Sequence, residues 1–189
     1  LSGADVNISN INNNYFIVQT NGTGKTRHNA TQFVEYKPSG TSFGTRTYFT
    51  NFNISVNKTP YDKQIRNINL TFNRLELFNL SVSLNTCGTL NVPNLTYVLV
   101  QDVSSIGNCF TIPANNVTLN CGGFMIYYST TGVGYGVFST ANFTTVKNCM
   151  IVQGGIIGSD NHAVYFNPAN NGTINNNTIN TNGTGSYGI

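Results

Sequence analysis

Like side chains recur at a fixed interval through the second half of this chain. The stretches "GYGVFSTANFTTVKNCMI" (134–151), "NHAVYFNPANNGTINNNTI" (161–179) and "SYGI" (186–189) superpose. Gly136, Ala163 and Gly188 fall at one site, and Val137, Val164 and Ile189 at the next. Leu119, Val146 and Ile174 form a third column, followed two residues later by Cys121, Asn148 and Asn176. Steps in the first column are twenty-seven and then twenty-five positions long, and in the third twenty-seven and then twenty-eight. A repeat this short contains strands and turns but has no room for a crossover helix, so it predicts a parallel β-helix in which each repeat is one coil. An antiparallel sandwich is the alternative architecture.

Composition agrees with strands. Val, Ile, Thr, Tyr and Phe are abundant, the residues that fill helix surfaces are scarce, and no window keeps an apolar 3.6-residue period. The chain is rich in asparagine and ends in "NNGTINNNTINTNGTGSYGI" (170–189). Asparagine tolerates the left-handed backbone of a tight turn better than any residue but glycine. Asparagines at one site of successive coils, about 4.8 Å apart, also stack their amides into a hydrogen-bonded ladder.

Residues 1–84 read differently. The runs "NNNYFIVQT", "TQFVEYKP", "TRTYFTNFNISVN" and "IRNINLTFNRLELFNLSVSL" are separated by turn-rich segments, and Phe49, Phe52, Ile54 and Val56 alternate mostly two by two. This predicts an antiparallel β region, a small sandwich or a cap. The fold class is therefore all-β, with an antiparallel region over 1–84 and a right-handed parallel β-helix over 85–189. "ADVNISNINNNYFIV" reads as one long extended segment, pairing within its own region or in a neighbouring subunit.

Thirteen Asn-x-Ser/Thr triplets begin at Asn7, Asn21, Asn29, Asn53, Asn57, Asn69, Asn79, Asn94, Asn116, Asn142, Asn171, Asn176 and Asn182. Shuffling this composition gives about six. Only 8% of the residues are charged, against about 25% in ordinary soluble domains. N-linked sugar would supply the missing hydration and place the chain at an archaeal or eukaryotic exterior. Recurrence of Asn and Thr at fixed turn offsets is the other source of such triplets. Cys87, Cys109, Cys121 and Cys149 lack metal-ligand spacing and fit two disulfides better than zinc. Cys121 and Cys149 fall near one turn of consecutive coils, leaving Cys87 with Cys109, although the swapped pairing stays open. Nine scattered Lys and Arg give a net charge of +3 without a basic patch, so nucleic acid is not an expected partner. No apolar run is long enough to span a membrane, and the opening "LSGADVNISN" lacks the regions of a signal peptide.

The run "CGTLNVPNLTYVLVQDVSSIGNCFTIPANNVTLNCGGFMI" (87–126) with the coils after it resembles the right-handed parallel β-helix repeat proteins of the pectate-lyase-like superfamily, especially the NosD-like surface repeat proteins of archaea. The resemblance implies that "TYVLVQD" enters the first coil, that "GNCFTI" and "NVTLNC" are the next strands, and that Gly122 and Gly123 form a turn. It implies a fold more than a function. Relatives that cut polysaccharides use paired or triple acids, or calcium with a basic residue. Here Asp102 and Asp160 are the only carboxylates of the repeat region and stand two coils apart. Asp160 and His162 in "GSDNHAV" form the one candidate catalytic pair, set against a plain solvated turn. His28 in "TRHNAT" has no metal-ligand neighbour, and "NGTGKT" lacks phosphate-loop spacing. No cofactor or metal is expected. Tyr127, Tyr128, Tyr135, Tyr165 and Tyr187 line either a sugar-binding groove or a stripe that packs on a neighbour or on itself.

The final coil stops after "SYGI" without a charged or proline-rich cap, which predicts either a longer polypeptide or completion by another molecule. The leading expectation is a non-catalytic extracellular structural protein that polymerises with copies of itself through β-edges into a filament, sheath or surface layer. The rivals are a polysaccharide-binding or polysaccharide-cleaving β-helix, and an adhesin.

Overall fold

A computed structural model describes residues 1–10, 15–31, 33–37, 39–40, 44–69, 75–155 and 160–189, and among them there are strands and turns but no helix. The chain divides into two units, Leu1–Leu80 and Ser81–Ile189.

The second unit is a parallel β-helix with three faces. One face stacks β8 (Gly88–Thr89), β11 (Phe110–Ile112), β14 (Val137–Ser139) and β17 (Val164–Phe166). The second stacks β7 (Val82–Leu84), β9 (Thr96–Leu99), β12 (Thr118–Asn120), β15 (Thr145–Lys147) and β18 (Thr173–Asn175). The third stacks β10 (Val103–Ser104), β13 (Met125–Tyr128), β16 (Met150–Gln153) and β19 (Thr178–Asn180). The chain visits the faces in turn, so each circuit is one coil and every pairing is parallel.

Each strand is short and alternates, sending every second side chain inward. Phe110, Ile112, Leu119, Ile126, Tyr128, Val137, Val146, Ile151 and Val164 all lie in the core, effectively sealed from solvent. The expected apolar file is borne out: Tyr97, Leu119, Val146 and Ile174 stand one over another in register. So is the neighbouring one, since Val137 pairs with Val164 and the Val164 N–H donates to the Gly188 carbonyl.

Three details differ from the expectation. The amide ladder runs one residue off the backbone register: Asn120 pairs with Lys147, yet its Oδ1 accepts from Asn148 Nδ2, whose own Oδ1 accepts from Asn176 Nδ2. The cause is the corner between the second and third faces. It takes four residues (121–124) in one coil but two (148–149, 176–177) in the coils that follow. The first coil is also shorter than the next by five residues, since Gly88 pairs with Phe110 and Phe110 in turn with Val137. Its corner back to the first face holds five residues (105–109), whereas the next holds eight (129–136).

The β-helix also begins earlier than position 85. Val82 and Leu84 lie beside Tyr97 and Leu99 in a parallel pair, making "SVSL" its first rung rather than the end of the antiparallel region.

The first unit is a four-stranded antiparallel sheet ordered β2 (Tyr15–Gln19), β1 (Asp5–Ser9), β5 (Phe52–Lys58), β6 (Tyr61–Ile68). Ala4, Val6, Ile8, Phe52, Val56 and Ile68 form its core, packed with Val18, Ala30, Phe49, Ile54, Phe78 and Leu80. The N-terminal stretch is not one long strand. It doubles back, so that β1 pairs with β2 on one side and β5 on the other, filling both of its edges. A separate ribbon joins β3 (Phe33–Tyr36) to β4 (Thr45–Tyr48), where Glu35 lies between Lys37 (3.7 Å) and Arg46 (3.6 Å). Positions 11–14 of "ADVNISNINNNYFIV", 38 and 41–43 of the turn "KPSGTSFG", and 70–74 of the run "IRNINLTFNRLELFNLSVSL" lie outside the described residues.

Leu119→Ala is expected to lower stability by about 3 kcal/mol, as lost transfer energy plus a cavity. Thr118→Ala on the outward side of the same strand should change it by less than about 0.5 kcal/mol. Urea midpoints of the two variants check the inward file.

Candidate functional site

The corners of the β-helix concentrate its polar chemistry. At the corner between the first and second faces, Asn94, Asn116, Phe143 and Asn171 hold the same place in successive coils, and all four have positive φ between 57° and 61°. This is the left-handed conformation that asparagine accepts at low cost. Phe143 adopts it despite its bulk and remains exposed. Side-chain amides tie the coils here: Asn116 Nδ2 donates to Asn94 Oδ1 (2.9 Å), the Asn142 N–H to Asn115 Oδ1 (2.9 Å) and the Asn170 N–H to Asn142 Oδ1 (2.9 Å).

The corner between the second and third faces repeats the device. Asn176 Nδ2 donates to Asn148 Oδ1 and Asn148 Nδ2 to Asn120 Oδ1, each at 2.8 Å. Both Asn148 and Asn176 have positive φ there. Beside this ladder a disulfide joins Cys121 to Cys149, and a second joins Cys87 to Cys109 at the corner leading back to the first face. Each bridge spans 4.7 Å between Cα atoms, one coil spacing.

An aromatic ladder runs along the first face and the corner before it. Tyr135, His162 and Tyr187 form one file, with ring centroids 5.8 and 5.5 Å apart, and Phe138 and Tyr165 form a second, 5.9 Å apart. Tyr135 bridges the files, 5.0 Å from Tyr165. The Tyr135–His162, Tyr135–Tyr165 and Phe138–Tyr165 planes lie within 30° of parallel. Rings this close and this nearly parallel are stacked on one another, because coplanar neighbours cannot approach to about 5 Å. Their faces meet each other.

Tyr135, Tyr165 and Tyr187 are thus brought together, while Tyr127 and Tyr128 are not. Tyr127 lies on the third face, its hydroxyl directed at the Gly154 carbonyl. Tyr128 is fully buried and its hydroxyl donates to the Asn161 carbonyl at 3.0 Å; burial pushes that hydroxyl up to about 12. Phe138 and His162 join the ladder although neither is a tyrosine. The signal was present, since the steps from Tyr135 to His162 and from Phe138 to Tyr165 are each one period of the repeat.

The thirteen sequon asparagines all reach the surface. Asn21, Asn29, Asn53, Asn57, Asn69, Asn79, Asn94, Asn116, Asn171, Asn176 and Asn182 are exposed, and Asn7 and Asn142 are half-buried. Asn7, Asn53 and Asn57 share the outer face of the antiparallel sheet, where strand alternation puts them opposite Val6, Phe52 and Val56.

Asp160 and His162 are not joined by a hydrogen bond or ion pair among the described residues. Asp160 is exposed at a positive-φ turn, and His162 Nδ1 instead accepts the Tyr187 N–H at 3.1 Å. Asp102 sits at a different corner, its Oδ1 accepting the Met125 N–H at 2.7 Å. In "NGTGKT", Asn21 Oδ1 accepts from the Thr23 N–H, the Thr23 hydroxyl and the Lys25 N–H, so this loop satisfies its own donors. His28 packs its ring 4.6 Å from Phe16. No cluster of three or more metal-ligating side chains occurs among the described residues.

Comparison with family models, with curated proteins and with solved structures finds no match to this chain.

Removing the Cys121–Cys149 bridge with paired alanines should cost about 3.5 kcal/mol, from its 28-residue loop. For Tyr128 the folded state favours the neutral hydroxyl, whose ordinary value is near 10. Its contribution is fully present below pH 10 and disappears as pH rises from 10 to 12, a loss of about 2–3 kcal/mol. Tyr128→Phe should lose about 1 kcal/mol at neutral pH and flatten that alkaline decline, as read from urea midpoints between pH 7 and 12.

Proposed function

We propose that this protein is an extracellular, N-glycosylated structural protein that associates with copies of itself into a surface layer, sheath or filament. One observation carries the reading: none of the thirteen sequon asparagines is buried, and eleven are exposed. Sequons arising only from turn composition would also fall in turns, but Asn53 and Asn57 lie in a strand and are exposed on the face of the sheet away from its core.

Other features fit the same reading. The β-helical unit, Ser81–Ile189, contains three charged side chains, Asp102, Lys147 and Asp160, leaving amides, hydroxyls and sugar to hold water at its surface. Two disulfides fit an oxidising exterior. No helix among the described residues is long and apolar enough to cross a membrane. The β-helix is compatible with the pectate-lyase-like likeness of 87–189 and with the NosD-like surface proteins within it. The polysaccharide-binding reading gains less support, because the aromatic rings that would face a sugar are stacked against each other.

Mass spectrometry of peptides from the native protein before and after deglycosylation tests the reading. Sugar is expected on several of the thirteen asparagines and disulfide-linked peptides in place of free thiols. Bare asparagines with reduced cysteines would remove it. Electron microscopy of the same material should show regular fibres or sheets, whereas dispersed particles that release reducing or unsaturated sugar ends would point to an enzyme.

A further inference from the structure

The antiparallel sheet of the first unit has two outer strands of opposite character. β6 carries Asp62, Lys63 and Arg66, follows Pro60, and meets β5 with a register shift between Val56 and Lys58. Charges, proline and irregular register are the devices that keep a sheet edge from recruiting other chains. The β3–β4 ribbon is protected likewise by Glu35 and Arg46. β2 has none of these. Its sequence is Tyr-Phe-Ile-Val-Gln, without charge, proline or glycine, and among the described residues it pairs only with β1. Tyr15 is 56% exposed, Phe16 43% and Ile17 60%.

The direction of its free backbone groups follows from the ladder. The Thr20 N–H donates to the Ala4 carbonyl, so with a two-residue period Val18 and Phe16 also bond toward β1. Tyr15, Ile17 and Gln19 therefore turn their N–H and C=O groups outward in the plane of the sheet. Among the described residues nothing pairs with these three on that side.

We infer that β2 pairs antiparallel with β2 of a second copy, around a two-fold axis through Ile17. In that register Ile17 faces Ile17 of the other copy, Tyr15 faces Gln19, and Phe16 faces Val18, so each outward residue meets another outward residue and exchanges two hydrogen bonds with it. A two-fold axis sets like against like at its centre, which a charged strand cannot tolerate and this neutral one can. The joined sheet has eight strands and ends on both sides in β6, the protected edge, so the pairing closes as a dimer instead of growing. Sugar on Asn7, Asn53 or Asn57 would stand off the outer face and leave the rim of the sheet free.

This pairing rests on the self-association proposed above, but the two separate in solution: a copy can dimerise without forming layers, and layers can form through the β-helix alone. Sedimentation of the full chain is expected to show a concentration-dependent species at twice the mass of the 20.5 kDa chain plus its sugar. Ile17→Lys and Ile17→Glu should each weaken dimerisation by roughly a hundredfold, through like charges facing across the axis. Mixing the two variants should restore a dimer, which a variant that had merely misfolded could not do. Ile65→Lys, on the protected strand, should leave dimerisation unchanged. A wild-type chain that stays monomeric at every concentration, a dimer indifferent to Ile17→Lys, or a mixture that fails to reassociate would each overturn the pairing, and Tyr15–Gln19 would then face a different protein or solvent.

Discussion

Everything in the second unit depends on strands of successive coils bonding at one fixed spacing. That spacing, set by the backbone, obliges every side chain to stand directly over its counterpart in the next coil. The consequence is like on like: Leu119 over Val146 over Ile174 inside, Asn148 over Asn176 at one corner with Asn120 joined to them amide to amide, Tyr135 over His162 over Tyr187 outside. A charge repeated at that distance repels itself, whereas an amide both donates and accepts and so bonds to its own copy. The same spacing matches the Cα separation of a disulfide. The unusual composition follows from this geometry. Asparagine replaces lysine and glutamate because a solenoid favours the polar group that can be stacked.

The β-helix was legible because its information is local and repeated. The regular steps from Leu119 to Val146 to Ile174 already marked the inward file, and the alternation of Phe52, Ile54 and Val56 revealed a buried sheet face. What stayed hidden was set by corners. The extended corner at 121–124 sets the amide contact of Asn120 one residue off the backbone register, and a contracted one at 105–109 makes the first coil shorter than the period of those that follow. Neither change disturbs a strand, so neither leaves a mark on the apolar pattern. The first unit was harder because its contacts are long-range. Nothing in "ADVNISNINNNYFIV" states that its two halves lie side by side, and β5, which completes the pairing, begins more than forty residues after β1 ends. The aromatic ladder was half legible: tyrosines drew attention by type, while His162 and Phe138 were marked only by the period.

Charge is divided unevenly between the two units. Of the nine lysines and arginines, only Lys147 belongs to the β-helix. The others lie in a unit whose antiparallel strands do not stack like on like, and there Glu35 with Lys37 and Arg46, and Glu76 with Arg66, place opposite charges together. Stacking limits charge in one unit and leaves it usable in the other, where it also marks which strand edge is closed to partners.

The two disulfides lie in series along the chain. One connects Cys87 to Cys109, the other Cys121 to Cys149. Tension entering at residue 87 and leaving at residue 149 therefore crosses both sulfur bridges and bypasses the coils they enclose. Only the 109–121 segment is left to transmit the load through its backbone. A pull strong enough to peel hydrogen-bonded rungs would find the enclosed coils already short-circuited by covalent bonds, and would have to spend itself on the remainder of the chain.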